Sequence, residues 1–260
     1  MPIEYHVNES GIGLLRVNRP HARNALDWAA QEAFATAVSE ASQNESLRAL
    51  IITGTGDKAF VSGADLKELA GHPDEAAGAR LNRVMSKALS DLIDLPVPVI
   101  AAVNGDAIGG GCEILTACDL RLAAASARFA FRQVYNGLTT GWGGTGRLVE
   151  LLGQSRAMEF LLTGRMFTAA EAQDLGLIHR LAPDNEDVVQ VAMIWAGELT
   201  TLPRRALAAT KALVHAASHL SLDETNQLET HLFVNLWPSA DHLEAMNAFT
   251  EKRPPRFNQD

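Results

Sequence analysis

An α/β fold that ends in a helical region is predicted by three observations on this sequence. Over residues 1–186, short apolar runs rich in β-branched residues alternate with segments of helical periodicity, the pattern of a core wound from strands and helices. Over residues 187–260 the strand signals fade and one helix start follows another, so the chain divides into an α/β core and a C-terminal helical region. Within the core, two loops of small residues each follow a strand and lead into a charged or helical segment, Ala59 to Leu69 and Asn104 to Glu113.

The elements follow in order. Ile12 to Val17 reads as a strand closed by Asn18-Arg19-Pro20, and Asp27 caps a helix whose Ala30, Phe34, Ala37, Val38 and Ala41 share one face. Leu47 to Thr53 is a second strand, followed by the turn Gly54 to Lys58. The stretch from Ala70 to Arg80 is small, polar and aperiodic, and is expected to be a loop covering a pocket. A helix is expected over Leu81 to Leu92, then the buried strand Val97 to Val103. The glycine run opens a helix over Cys112 to Cys118, which gives way to a strand over Asp119 to Ala125. Gln133 to Gly146 is a glycine-rich connection into a helix at Arg147 to Leu152. Thr168 to Glu171 is a capping box, Gly176 a C-cap, and Leu177 to Leu181 a short strand. Beyond residue 187, Pro203, Ser221 and Pro238-Ser239 each start a helix. The last carries Leu243, Met246 and Phe249 on one face, suited to a partner subunit or to the chain's own core.

Composition narrows the function. The chain has 260 residues, 47% hydrophobic and 20% charged, ordinary for a globular protein with a sizeable core. A net charge of −9, with no Lys or Arg between Asp27 and Asn44, argues against a nucleic-acid binder. No apolar run reaches membrane-spanning length, and the N-terminus lacks a signal-peptide pattern, so the expected location is cytoplasmic. Cys112 and Cys118 suggest neither a disulfide framework nor a metal site, and Cys112, with no nearby His in sequence to activate it, reads as a small buried filler. His215 and His219 lie four apart, but with no Glu between them and no third ligand they read as surface residues. No metal is expected.

The chemistry concentrates in the two loops. Gly109-Gly110-Gly111 sits where a strand passes into a helix, so backbone N–H groups and the helix dipole favour a negative charge there. Glu113, on the same first turn, adds a proton acceptor beside those donors. The plainer reading of this stretch is a helix cap with a solvated Glu. Ala59 to Leu69 repeats the pattern and supplies a second source of N–H donors. The segment Gly141 to Gly146 fits G-x-G-x-x-G, but no clean strand precedes it and it lies mid-chain, both unlike a dinucleotide-binding unit.

Five motifs in order, spread over nearly the whole chain, resemble the enoyl-CoA hydratase/isomerase (crotonase) superfamily. They are Asn18-Arg19-Pro20 with Asn24-Ala25-Leu26, the run from Phe60 to Lys67, Gly109 to Glu113, Gly143-Gly144-Thr145, and Ala248 to Arg253. The resemblance implies a spiral of strand-strand-helix turns with a C-terminal trimerisation region, and a homotrimer or dimer of trimers. It implies an acyl-CoA thioester as substrate, with coenzyme A part of that substrate and no separate cofactor. By position it makes the N–H groups of Ala64 and Gly110 an oxyanion hole, Glu113 the acid/base, and Gly141 a backbone donor near the attacking water. Arg23, Ser62, Asp65, Leu66, Lys67, Phe249 and Lys252 fall on coenzyme A positions, the last two at family positions that can reach across a subunit boundary. Some relatives of this superfamily bind RNA, a reading against which the chain's charge argues.

One position departs from the family pattern. Where hydratases of the superfamily carry a second carboxylate, this chain has Gln133, whose amide can orient water but exchanges no proton at neutral pH. Three chemistries stay open. Glu113 can act alone as base and then acid in a hydratase, or shuttle one proton in an isomerase. The run from Gly137 to Gly144, with Leu236-Trp237, is also similar to short-chain decarboxylases of the methylmalonyl- or ethylmalonyl-CoA type. Hydratase/isomerase chemistry is the leading reading, and Glu68 and Tyr135 are additional residues within possible reach of the acyl group.

Overall fold

The computed structural model of the chain describes residues 1–257. It begins with an antiparallel pair, β1 (Ile3–Val7) and β2 (Ile12–Val17), joined by a turn in which Asn8 Oδ1 accepts from the N–H groups of Ser10 and Ile12. The sequence reading has no strand at β1. Its alternation of Ile3, Tyr5 and Val7 with Glu4 and His6 is short and half-solvated, which leaves little signal. α1 (Trp28–Gln43) follows, with Asp27 Oδ1 accepting from Ala30 N at 2.8 Å and the expected apolar face buried.

Three strand-strand units come next. β3 (Ala49–Gly54) and β4 (Ala59–Val61) lead to α2 (Leu66–Leu69) and α3 (Glu75–Ile93). β5 (Val99–Val103) and β6 (Asp106–Ile108) lead to α4 (Gly110–Thr116). β7 (Leu120–Ala123) and β8 (Arg128–Ala130) lead through a 3-10 turn at Arg132–Asn136 to α5 (Gly144–Leu152) and α6 (Gln154–Thr163). β9 (Phe167–Thr168), α7 (Ala169–Asp174) and β10 (Arg180–Leu181) close the core, and α8 (Val188–Thr200), α9 (Arg204–Ala217), α10 (Leu222–Leu236) and α11 (Ala240–Glu251) complete the chain.

In each unit the first strand joins one sheet and the second joins another. The larger sheet has the order β1-β2-β3-β5-β7-β10 and the smaller β4-β6-β8-β9. All neighbours are parallel except β1 with β2 and β8 with β9. This is the expected spiral of strand-strand-helix turns.

Two expectations are corrected and one helix is added. The segment 70–80 is a loop only as far as the cap Asp74, whose Oδ1 accepts from Ala77 N at 2.9 Å. From Glu75 it is helix, aperiodic to the eye because its Ala and Gly residues carry no large apolar group. The glycine run follows β6, not β5, because a three-residue strand spaced by Asn104 and Gly105 intervenes. α6 has no counterpart in the reading, since Gly153 starts it without a capping side chain.

Strand alternation sorts the core. Leu15, Val17, Leu50, Ile52, Val99, Ala101 and Val103 point to one side of the larger sheet, toward α1, α3 and the smaller sheet. Their neighbours Ile12, Leu14, Ala49, Ile51, Ile100 and Ala102 point to the other and meet Val188, Val189, Ala192, Trp195 and Ala196 of α8. The C-terminal region therefore starts as the cover of the second face. Beyond it, Val214, Leu222, Phe233, Val234, Trp237, Leu243, Met246 and Phe249 of α9 to α11 are exposed in the single chain.

Cys112 and Cys118 are both buried, and burial pushes the Cys118 thiol up to about 12, consistent with a filling role. His215 Nε2 lies 3.2 Å from Asp119 Oδ1, which shares its carboxylate with Lys211, and no cluster of metal-ligating side chains occurs among the described residues. None of the described helices is long and apolar enough to cross a membrane.

His179 carries a pH dependence. Its Nδ1 accepts from Arg121 N at 3.1 Å, and desolvation together with the charge of Arg121 brings its pKa down to about 4. The folded chain keeps this ring neutral while the unfolded chain protonates it near 6.5, so its contribution to stability is full above that pH and is lost as pH falls toward 4. Thermal unfolding between pH 7.5 and 4.5 is expected to show a larger loss for the wild type than for His179→Asn, and equal losses would contradict this.

Candidate active site

The site is assembled by α4 and the turn that enters α5. Gly109, with φ +56, turns the chain out of β6, and Gly110 and Gly111 begin α4. A Cβ on Gly111 would stand 1.8 Å from the Val61 carbonyl oxygen, so only glycine lets α4 sit this close to β4. One turn on, the Glu113 side chain enters the interior, where the residue is 2% exposed.

Four donors converge on its carboxylate. Oε2 accepts from Trp142 N at 2.7 Å and Gly144 N at 2.9 Å, while Oε1 accepts from Gln133 Nε2 at 2.9 Å and Gly141 N at 3.3 Å. Three are backbone groups at the entrance of α5, where the helix dipole also favours negative charge. Gly141 is itself held by α3, since its carbonyl accepts from Asn82 Nδ2 and Ser86 Oγ. Arg147 pins the turn from behind, donating to the carbonyls of Trp142 at 2.8 Å and Glu113 at 3.1 Å and to Thr116 Oγ1 at 3.2 Å. Burial lowers its pKa, and the charge of Glu113 opposes that shift.

Gln133 has a donor in use and an acceptor idle. Its Oε1 is buried and without a hydrogen-bond partner. Exchanging the amide's O and N would place two acceptor oxygens against each other, so the orientation follows from Glu113. The idle oxygen calls for an O–H or N–H donor.

The second loop reaches the same place. A Cβ on Gly63 would come within 3.0 Å of Gly110 N, so the turn after β4 abuts the start of α4. Leu26 N donates to Gly63 O at 2.8 Å and Asp65 N to Leu26 O at 2.9 Å, bracketing Ala64. Among the described residues, neither Ala64 N–H nor Gly110 N–H donates to a protein acceptor. Arg19 braces this loop through Asp27 at 2.8 Å, Asp65 at 3.1 Å and the Ala25 carbonyl. Asn24, buried at φ +56, donates to the carbonyls of Thr55 and Ala59. The Asn18 to Leu26 motif is thus scaffold for the Ala64 loop.

The remaining expected residues divide. Ser62 is half-buried, and Arg23, Leu66 and Lys67 are exposed. Asp65 commits its carboxylate to Arg19 and to capping α2, a positioning task. Phe249 and Lys252 lie exposed on α11 and its C-cap, with no hydrogen bond or ion pair to the Glu113 cluster among the described residues. Glu68 accepts from Trp28 N at 2.7 Å, tying α2 to α1, and Tyr135 is exposed beneath the Arg132 guanidinium. Gly141 and Gly144 donate to Glu113, and the run from Gly141 to Gly146 follows a 3-10 turn and not a strand, so it is no strand-turn-helix phosphate site. Arg147 was not anticipated: nothing local in sequence signals a contact 31 or 34 residues away.

A two-sheet spiral closing over one such carboxylate is the crotonase fold. Residues 7–260 match the family model described as enoyl-CoA hydratase/isomerase. The chain is 36% identical to the crotonyl-CoA hydratase of Syntrophomonas wolfei, with 96% of this chain and 95% of that protein covered. It is also 36% identical to the mitochondrial enoyl-CoA hydratase of Pongo abelii, covering 95% of this chain and 83% of that one. A crystal structure of enoyl-CoA hydratase from Bacillus anthracis superposes with a TM-score of 0.95 at 32% identity, over 100% of both chains. The chain belongs to the enoyl-CoA hydratase/isomerase family and is an acyl-CoA-processing enzyme of that type.

Two glycines of α5 separate site from scaffold. A Cβ on Gly144 would lie 2.5 Å from Glu113 Cγ and 2.8 Å from Oε2, whereas one on Gly146 meets nothing within 4 Å. Gly144→Ala is expected to lose about 1–3 kcal/mol of stability and most enoyl-CoA turnover. Gly146→Ala should keep turnover and gain about 0.5–1 kcal/mol in denaturant unfolding. Equal behaviour of the two variants would contradict the cradle.

Proposed function

We propose that the enzyme moves protons at C2 of a coenzyme A enoyl thioester through Glu113 alone, with hydration of a conjugated double bond as its reaction and double-bond migration within its reach. The observation that carries this reading is the Glu113–Gln133 pair: one carboxylate, and an amide donating to it at 2.9 Å with a free carbonyl oxygen. The thioester oxygen sits on the Ala64 and Gly110 N–H groups, which are unengaged and adjacent. Removing one such donor typically costs ~3–4 kcal/mol of transition-state stabilisation.

Water hydrogen-bonds to Gln133 Oε1 and to Glu113 Oε1. Oε1 is the mobile oxygen, since its partners are a side chain and a backbone N–H at 3.3 Å, while Oε2 is held by two shorter backbone contacts. As the water oxygen bonds to C3, Glu113 takes its proton and the electron pair moves into the enolate. The same carboxyl then returns the proton to C2. The net change is H on C2 and OH on C3. For migration, Glu113 takes a proton from C2 and delivers it to C4.

Decarboxylation is disfavoured by the same geometry. The donors of Gly141, Trp142 and Gly144 that could receive a substrate carboxylate are occupied by Glu113. The exposed apolar residues of α9 to α11 support the trimer or pair of trimers that the resemblance implies, with Phe249 and Lys252 delivered to a neighbouring subunit's coenzyme A.

Crotonyl-CoA, 3-hexenoyl-CoA and methylmalonyl-CoA, incubated with the enzyme in deuterated water and followed by mass spectrometry, test the reading. Hydration of crotonyl-CoA is expected, reduced roughly 10²–10⁴-fold in Glu113→Gln and raised in Gln133→Glu, which restores a second proton carrier. The active species should sediment above the 27.9-kDa monomer. Release of carbon dioxide from methylmalonyl-CoA without hydration would overturn the assignment in favour of a decarboxylase.

A further inference from the structure

The buried face of α1 is apolar except at Gln31, which lies among Ala30, Phe34 and Val38 and is 1% exposed. Its amide is half satisfied. Nε2 donates to the Leu26 carbonyl at 3.0 Å, while Oε1 is buried without a hydrogen-bond partner among the described residues. Exchanging the amide's O and N would set two oxygens against each other, so the orientation follows from the Leu26 carbonyl. A buried acceptor left idle opposes folding, and a methionine of similar length and volume would carry none. Stability alone therefore does not account for an amide here.

The Leu26 backbone explains it. Leu26 O also accepts from Asp65 N at 2.9 Å, and Leu26 N donates to Gly63 O at 2.8 Å. Gly63 O and Ala64 N belong to one planar trans peptide unit, so holding the carbonyl aims the N–H the opposite way. That N–H has no protein acceptor among the described residues. Leu26 O precedes the cap of α1, and Ala30 N is taken by Asp27 Oδ1, so the helix ladder makes no claim on this carbonyl. Gln31 is the side chain through which α1 holds it. We infer that Gln31 is a positioning residue for the Ala64 N–H, tying Leu26, and through Leu26 the peptide that carries the donor, to the rigid body of α1. The inference rests on the proposed seat of the thioester oxygen. Arg19 and Glu68 hold the same loop by other contacts, so loss of the amide tilts the donor and leaves the loop folded.

Infrared spectra of butyryl-CoA labelled with carbon-13 at C1 read the donor without requiring turnover, because hydrogen bonds to the thioester oxygen lower its carbonyl stretch. Bound to wild type, the band is expected below that of the free thioester. Bound to Gln31→Met or Gln31→Leu, it should return toward the free position. The two variants should melt at or above the wild-type temperature, since each sheds the idle acceptor, and still lose about 10–100-fold in crotonyl-CoA kcat with KM little changed. A band lowered equally in wild type and folded variants would overturn the role of Gln31 alone. So would variants that melt well below wild type while the bound band stays low, which would make the amide a structural group. No lowering in wild type itself would overturn the oxyanion reading of Ala64 and Gly110, and this inference with it.

Discussion

A buried carboxylate with four hydrogen-bond donors can exist only where several chain segments are brought together, and most of this fold serves that meeting. Glu113 is delivered by α4, its donors come from the turn after β8 and the entrance to α5, and α3 secures that entrance through Asn82 and Ser86. A buried charge without such partners would be strongly destabilising. Here the helix dipole and three backbone N–H groups offset the desolvation, and Arg147 fixes the spacing between the two segments. The spiral matters because it returns each strand pair to the same pole, so the loops after β4 and β6 lie in contact.

The two oxygens of Glu113 are not equivalent, and the difference has a chemical meaning. Oε2 is anchored by two short backbone contacts. Oε1 faces Gln133 and a longer contact to Gly141. An amide in place of a second carboxylate gives water a place to bind without a second group to exchange its proton. In the proposed hydration one carboxyl then serves both halves of the addition, and the cost in rate falls on proton transfer, while the proposed oxyanion donors stay as the backbone sets them.

The sequence revealed the parts of the site that depend on local chemistry and hid those that depend on distant contacts. Gly109 to Glu113 and Phe60 to Lys67 were legible because strand-to-helix turns need small residues, and both lie at such turns, the first after β6 where β5 was expected. Gln133 was singled out by the family resemblance and not by local chemistry, and the structure brings it to Glu113. The roles of Arg19 and Arg147 were invisible, because each arises from a contact across many residues with no periodic or capping signal. The same physics explains the missed elements. β1 and β6 are short, and the first turns of α3 lack the large apolar residues from which helical period is read.

The central claim is that Glu113 is the group that moves a proton at C2, beside donors that hold the enolate. Hydrogen exchange at C2 of butyryl-CoA in deuterated water tests it most directly, because this saturated thioester can neither add water nor shift a double bond. The account predicts slow deuterium uptake catalysed by the wild type, retained in Gln133→Ala and absent in Glu113→Gln. Undiminished exchange in Glu113→Gln would contradict it and place the base elsewhere.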